Sequence, residues 1–185
     1  MAGRNVNGGV MQMLFEYARE RHGSDGLLII LHKMMERGYG GPKSSQDFKA
    51  ARKYSLSHLE LFLETYLATY GDADFDRMNR EVAKKRGVVG FLVKWAKTPE
   101  SLLMAAGEYW PNFCDYGKLE GKVENRHSGV LIGTDICPKP IFCRAFTSYF
   151  MGIMDNLRMK SVAVEHTKCS HKGASCDEWT ISWKG

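Results

Sequence analysis

The sequence predicts an α+β fold in which a helical N-terminal portion is followed by a β-β-α-β-β unit with an antiparallel sheet. Apolar residues recur at helical spacing through about the first two thirds of the chain, whereas short alternating segments appear after Asp115. The length of 185 residues and the hydrophobic content of 44 % fit one domain with a substantial core. We therefore expect a single domain, 1–185, with a helical portion, 1–97, and a second portion, 98–185.

The helical portion is divided by turn and capping signals. Ser24 and Asp25 can cap a helix that ends at Gly38 and the GYGGP turn. Thr98 followed by Pro99 is a strong helix start, because proline is favoured at the first helical position. The expected helices cover residues 11–22, 24–38, 55–70, 72–85 and about 99–110.

The second portion alternates between strand and helix patterns. The segments KLEGKVE and SGVLIG, joined by Asn125 and Arg126, are compatible with a β-hairpin. Residues 142–157 have the spacing of a helix. The segments SVAVEHT and EWTISW alternate in polarity, and SHKGAS supplies the turn between them. These segments give the β-β-α-β-β order.

Composition excludes several classes of protein. The net charge of +5 is mild and its basic residues are scattered, so a nucleic-acid partner is not expected. We find no export signal and no apolar run long enough for a membrane span, so we expect a cytoplasmic protein without a membrane partner. The chain has no nucleophile elbow and no glycine-rich phosphate loop, so we do not expect an enzyme.

The last forty-odd residues contain a pattern of potential metal ligands, C-x22-H-x2-C-x6-C. It consists of Cys143, His166, Cys169 and Cys176. Three thiols and an imidazole suit tetrahedral Zn²⁺. The alternative is that they are ordinary buried thiols and a hairpin histidine, since free cysteine is among the most buried residue types.

From about Pro99 to Trp183 the chain resembles the 4-vinyl reductase (V4R) domain and its relatives. The matching segments are SLLMAAGEYWPNFCDYGKLEG, FCRAFTSYFMGIM and EHTKCSHKGASC. The relatives include the haem-based nitric-oxide/oxygen-binding (H-NOX) domains, the sensor domains of phenol-responsive activators and a myxobacterial paralogous family. The sequence is nearest to the non-haem members, so the resemblance implies an H-NOX/V4R-like fold in a bacterial protein.

The resemblance also implies a structural zinc site. In the phenol sensors one helix cysteine, a glutamate and two hairpin cysteines hold the metal, and these positions correspond to Cys143, His166, Cys169 and Cys176. His166 stands where the relatives have glutamate or cysteine, and Glu165 is the substitute ligand if the strand register differs. The spacing between the last two cysteines is one residue shorter than the usual pattern.

Haem is not expected from the resemblance. Gas-sensing members use an axial histidine on the helix before the first strand and a Tyr-x-Ser-x-Arg clamp. The segment SLLMAAGEYW has no histidine, and SGVLIGTD contains no such clamp. Cys114 is a weaker alternative ligand for iron. On these grounds a haem gas sensor is not expected.

The function expected from these observations is a non-catalytic sensory or adaptor protein that binds an apolar or aromatic molecule and signals through a protein partner or a homodimer. Six aromatic residues are candidates to line its cavity: Trp95, Tyr109, Trp110, Phe113, Phe146 and Phe150. Aromatic residues at helical spacing are also typical of an ordinary core. Two alternatives remain open, namely an accessory protein that handles a tetrapyrrole and a scaffold subunit without a ligand.

Overall fold

The computed structural model describes residues 3–85, 98–157, 159 and 161–184. Its helices are α1 (Gly8–Glu36), α2 (Leu56–Lys84), α3 (Pro99–Tyr109) and α4 (Pro140–Asp155). Its strands are β1 (Asn5–Asn7), β2 (Lys53–Ser55), β3 (Lys118–Asn125), β4 (Ser128–Thr134), β5 (Ser161–Lys168) and β6 (Asp177–Lys184). Helices and antiparallel strands are thus combined, as the sequence predicts.

The larger sheet has the strand order β3-β4-β6-β5, and all its neighbours are antiparallel. Its buried face carries Leu131 paired with Trp179 and Val164 paired with Ile181. The smaller sheet pairs β1 with β2. We did not predict these two strands, because three residues each are too few to establish an alternating pattern.

Both long helices are interrupted at a glycine. Gly23 in α1 has φ 72° and ψ 179°, and Gly71 in α2 has φ 78° and ψ 178°. These backbone angles are accessible essentially to glycine alone. The breaks fall where the sequence predicts that one helix ends and the next begins.

Polar side chains join the two helix breaks. Asp74 Oδ2 accepts hydrogen bonds from the Tyr66 hydroxyl at 2.7 Å and from His22 Nε2 at 2.9 Å. The His22 ring stacks on the Tyr70 ring with centroids 3.6 Å apart. This cluster links the first half of α1 to both halves of α2, and these helices form one wall of the core.

The other two helices begin as their sequences predict. Thr98 caps α3, where its side chain accepts from the Ser101 amide and Pro99 occupies the first turn. Helix α4 packs closely against α2, since a Cβ added at Gly152 would lie 2.1 Å from the Arg80 carbonyl oxygen. No helix in the described ranges is long and apolar enough to cross a membrane.

Arg144 ties α4 to the acidic segment after Gly71. Its guanidinium contacts Asp72, and it donates to Asp76 at 2.7 and 2.9 Å. The hydrogen bond from Arg144 holds the pKa of Asp76 below its usual value. A carboxyl with a lowered folded-state pKa stabilises the fold above its unfolded pKa, and this contribution disappears as the pH falls through the folded-state pKa.

Arg144→Gln is therefore expected to destabilise the protein at pH 7 by less than about 1 kcal/mol, because the pair is partly exposed. The difference from the parent should begin to shrink below about pH 4, where Asp76 of the unfolded chain becomes protonated, and should disappear only below the lowered folded-state pKa. Urea denaturation at pH 7 and at about pH 2 measures both values. Arg126→Gln, on the exposed β3–β4 turn, is the control. An equal loss at both pH values would contradict the assignment.

Candidate functional site

An apolar cavity of about 130 Å³ lies between the helices and the larger sheet. Its walls come from all four helices, for example Leu14 of α1, Leu63 of α2 and Leu103 of α3. Leu131 and Ile181 face it from the sheet. Because nearly every lining group is apolar, the cavity favours a hydrophobic occupant.

The cavity contains five of the six aromatic residues that the sequence singles out. Tyr109, Trp110, Phe113, Phe146 and Phe150 line it. The Trp110 and Phe146 rings meet edge to face with centroids 5.6 Å apart, and Trp110 is fixed by donating from Nε1 to a backbone carbonyl at 2.9 Å. Their role in binding a ligand stays a prediction.

Trp95, the sixth aromatic residue, lies outside the described residues.

Several side chains with polar groups interrupt the apolar lining, and the polar groups of three of them are buried at positions that matter for ligand binding. Cys114 lies after α3, and burial raises the pKa of its thiol to about 12. Asn79 donates its amide to the Phe75 carbonyl at 2.9 Å. The buried hydroxyl of Tyr149 has no hydrogen-bond partner in the described part of the chain. Asn79 and Tyr149 are not distinctive in the sequence, because nothing in a helical pattern distinguishes a cavity residue from a core residue.

A second candidate site joins α4 to the β5–β6 hairpin. The ligand atoms of Cys143, His166, Cys169 and Asp177 all lie within 4.8 Å of one another. The two sulfurs are 4.0 Å apart, Cys143 Sγ is 3.7 Å from Asp177 Oδ1, and His166 Nε2 is 3.1 Å from the same oxygen. Two thiolates at 2.3 Å from a tetrahedral zinc lie roughly 3.8 Å apart. The arrangement therefore has nearly the dimensions of a zinc site.

Neighbouring groups fix the ligands of this second site. Ser170 donates to Asp177 from its hydroxyl at 2.8 Å and from its backbone amide at 3.2 Å. The His166 ring stacks on Trp179 with centroids 4.6 Å apart. The neighbouring thiol of Cys137 lowers the pKa of Cys143. Buried carboxylates and thiolates need such partners, or a metal ion, to offset the loss of water.

The fourth member of this cluster differs from the sequence prediction. Asp177 stands with the other three residues, whereas Cys176 is partly exposed and outside the group. Strand β6 begins at Asp177, and successive side chains at a strand point in opposite directions, so only one of the two can face α4. The spacing between Cys169 and Cys176, one residue shorter than the usual pattern, was the sign in the sequence that Cys176 lies outside the group. Glu165 is exposed and also lies outside the group, as expected when His166 faces inward.

No protein-family model matches the chain, and no curated protein matches it. Solved structures do match. The H-NOX protein from S. oneidensis in its Fe(II)NO ligation state has a TM-score of 0.66 and 13 % identity, covering 97 % of this chain and 99 % of that one. The Fe(II) unliganded H-NOX protein from K. algicida has a TM-score of 0.65 and 12 % identity, covering 97 % of each chain. The chain has an H-NOX-like fold. The finer resemblance to non-haem V4R domains stays a prediction.

The sequence led us to expect no haem and a function that does not involve haem. The matching H-NOX structures contradict both expectations. A third matching structure comes from work on the function of heme distortion in the H-NOX family. It has a TM-score of 0.65 and 12 % identity, and the match covers 97 % of this chain and 95 % of that one. Haem was not expected because the sequence lacks an axial histidine on the helix and a Tyr-x-Ser-x-Arg clamp. These residues are one way to hold haem. Cysteine thiolate and tyrosine also bind haem iron, and both residue types line this cavity.

Proposed function

We propose that this chain is a sensor domain that holds haem in the cavity between its helices and its sheet. The observation that carries the proposal is an apolar cavity with a thiol in its wall, inside a fold shared with proteins that contain haem iron. When bound, haem supplies an iron atom that can take a diatomic gas such as NO. We propose no catalytic reaction, and we propose signalling through a protein partner or a second copy.

Cys114 is the residue that we assign to the iron. Its side chain is buried in the cavity wall, where its thiol approaches the Tyr116 carbonyl at 3.6 Å. Burial keeps the unliganded thiol protonated at neutral pH. A bound metal reverses this preference, because a coordinating thiol is deprotonated. Haem binding should therefore release a proton from Cys114.

The size of the cavity sets a second requirement. About 130 Å³ is less than the roughly 300–1,000 Å³ of pockets that enclose drug-sized ligands. The aromatic side chains of Phe113, Phe146 and Tyr149 must therefore move apart to admit a tetrapyrrole. The Tyr149 hydroxyl, a buried donor, is then available to a polar atom of the bound group or of its gas ligand.

Titration of the purified protein with hemin, followed by absorption spectroscopy, tests this function. We expect a Soret band that saturates near one equivalent. Cys114→Ser should shift that band and weaken binding at least about tenfold, since it removes the iron ligand. Cys176→Ser removes a cysteine that does not line the cavity and should match the parent. A band that never saturates would contradict haem binding, and an unchanged Cys114→Ser spectrum would contradict the assigned ligand.

We also propose that Cys143, His166, Cys169 and Asp177 hold one zinc ion. The ligand distances and the resemblance to zinc-containing V4R domains support this set. Four protein ligands would leave no position for a reacting water, so the ion would be structural. It would join α4 to the β5–β6 hairpin, and much of its binding free energy would appear as folding stability.

Calorimetric titration of reduced, metal-free protein with Zn²⁺ tests this ligand set. Asp177→Asn is expected to weaken zinc binding about 10-fold or more, because an amide is a poorer ligand than a carboxylate. Cys176→Ser should bind zinc as the parent does. The reverse result, with Cys176→Ser impaired and Asp177→Asn unaffected, would restore the ligand set predicted from the sequence.

A further inference from the structure

The segment that carries Cys114 is paired with the N-terminal strand. Val6 of β1 and Cys114 are partners in an isolated antiparallel bridge. A backbone hydrogen bond flanks the bridge on each side. The Asn7 amide donates to the carbonyl before Cys114 at 2.6 Å, and the amide after Cys114 donates to the Asn5 carbonyl at 3.2 Å. Directly paired side chains lie on the same face, and Val6 and Cys114 both line the cavity.

Asp115 closes this pairing from the solvent side. Its side chain is exposed, whereas its neighbours Cys114 and Tyr116 are buried, so the three residues alternate as in a strand. The Asp115 carboxylate accepts from the Asn5 backbone amide at 2.7 Å and from the Asn5 side-chain amide at 2.8 Å. We call these two contacts between Asn5 and Asp115 the clamp. Neither of its residues lines the cavity.

Contacts on the cavity side cannot by themselves hold Cys114 in place while haem enters. The Phe113 side chain, directly before Cys114, is one of those that must move to admit a tetrapyrrole. The Trp110 indole donates to the Tyr116 carbonyl, but its ring packs edge to face on Phe146, which must also move. The clamp lies outside the cavity, so it can anchor the segment while the cavity opens.

We propose that Asp115 is a positioning residue for Cys114, acting through Asn5. The clamp holds β1 against the segment after α3, so it keeps the thiol in the cavity wall and limits the positions that the sulfur can take. Metal ligands depend on outer contacts of this kind, which orient a ligand without touching the metal. Only the consequence for iron rests on the proposed function, in which Cys114 binds haem.

Brief alkylation of the haem-free protein with N-ethylmaleimide, quantified for each cysteine by peptide mapping, tests the position of the thiol. In Asp115→Ala we expect Cys114 to react at least about tenfold faster than in the parent, because the loosened segment exposes a buried sulfur. The rate at Cys137, which is buried outside this segment, should not change. Asp47→Ala is the control and should match the parent, since it removes another exposed carboxylate that accepts a backbone amide.

An exchange variant that combines Asn5→Asp with Asp115→Asn tests the clamp itself. The new side-chain amide at position 115 can still accept from the backbone amide at position 5 and can donate to the new carboxylate there. Cys114 should therefore return to within about threefold of its parent rate. An unchanged Cys114 rate in Asp115→Ala, a rise shared with Cys137, or an exchange variant as reactive as Asp115→Ala would each overturn the proposal.

A second arm titrates the same variants with hemin. If Cys114 binds the iron, Asp115→Ala should weaken hemin binding at least about tenfold and shift the Soret band, and the exchange variant should reverse both changes. Equal hemin binding in the parent and Asp115→Ala, together with different Cys114 rates, would contradict Cys114 as the iron ligand and leave its positioning by Asp115 standing. The two proposals can thus fail separately.

Discussion

Replacing Trp179 with alanine is expected to lower the free energy of unfolding by about 3–5 kcal/mol. Trp179 is completely buried. One side of its indole stacks on His166, and the edges of Phe146 and Phe150 meet it from α4 at centroid distances of 6.3 and 5.2 Å. Its Nε1 donates to the Thr147 hydroxyl at 2.9 Å. The substitution leaves a cavity between the sheet and α4 and also removes the support of His166.

Urea denaturation followed by circular dichroism measures this loss. Trp179→Phe is the matched control, because it keeps an aromatic ring against α4 and loses only part of the indole volume and the bond to Thr147, worth about 1 kcal/mol. We therefore expect the phenylalanine variant to lie much closer to the parent than the alanine variant. A loss below about 1 kcal/mol for Trp179→Ala would mean that the indole does not bridge the sheet and α4.

Gly152→Ala is expected to destabilise the protein by about 1–3 kcal/mol, although alanine normally favours a helix over glycine. The new Cβ would lie 2.1 Å from the Arg80 carbonyl oxygen and 2.8 Å from the Ala83 Cβ. Backbone atoms of α2 cannot yield without moving the helix, so α2 and α4 must separate.

The melting temperature and the urea midpoint both report this separation. Gly40→Ala is the control, since an added Cβ there meets no atom within 4 Å. The control should be neutral or slightly stabilising. If Gly152→Ala were as stable as Gly40→Ala, the close packing of α2 on α4 would be refuted.

Local signals in the sequence were sufficient to predict much of the fold. Residues that act within one helical turn determine the helix breaks at Gly23 and Gly71 and the helix cap at Thr98. Strand β6 was visible in the alternation of Trp179, Ile181 and Trp183. Long-range pairing was harder to predict. Strands β1 and β2 exist because distant segments pair, and neither has a pattern of its own.

The candidate sites show the same limit. Cys143, His166 and Cys169 could be selected because thiols and imidazoles are rare and chemically distinctive. Which of Cys176 and Asp177 lies in the cluster depends on the exact start of β6, which spacing alone does not define. The cavity depends on how four helices meet the sheet, so Tyr149 and Asn79 had no local signal. Haem was wrongly excluded because only one set of positions for the iron ligand was considered, whereas other residues of the cavity wall can also bind iron.

The two sites share a structural element through which they can influence each other. Helix α4 carries Cys143 at its start and Phe146 and Phe150 on the cavity side, and Trp179 lies between them and His166. Zinc bound at Cys143 would therefore also constrain one wall of the cavity. We propose to measure this coupling as the haem affinity of zinc-loaded and of metal-free protein.

Native mass spectrometry of the full chain, purified from cells supplied with haem and zinc, tests the central claim most directly. Our account predicts the 20.9 kDa chain carrying one haem, with the haem-loaded fraction falling sharply in Cys114→Ser and unchanged in Cys176→Ser. The same spectra report zinc and any second copy of the chain. A parent protein that appears only without haem, in preparations where an H-NOX protein produced in parallel is haem-loaded, would contradict the account.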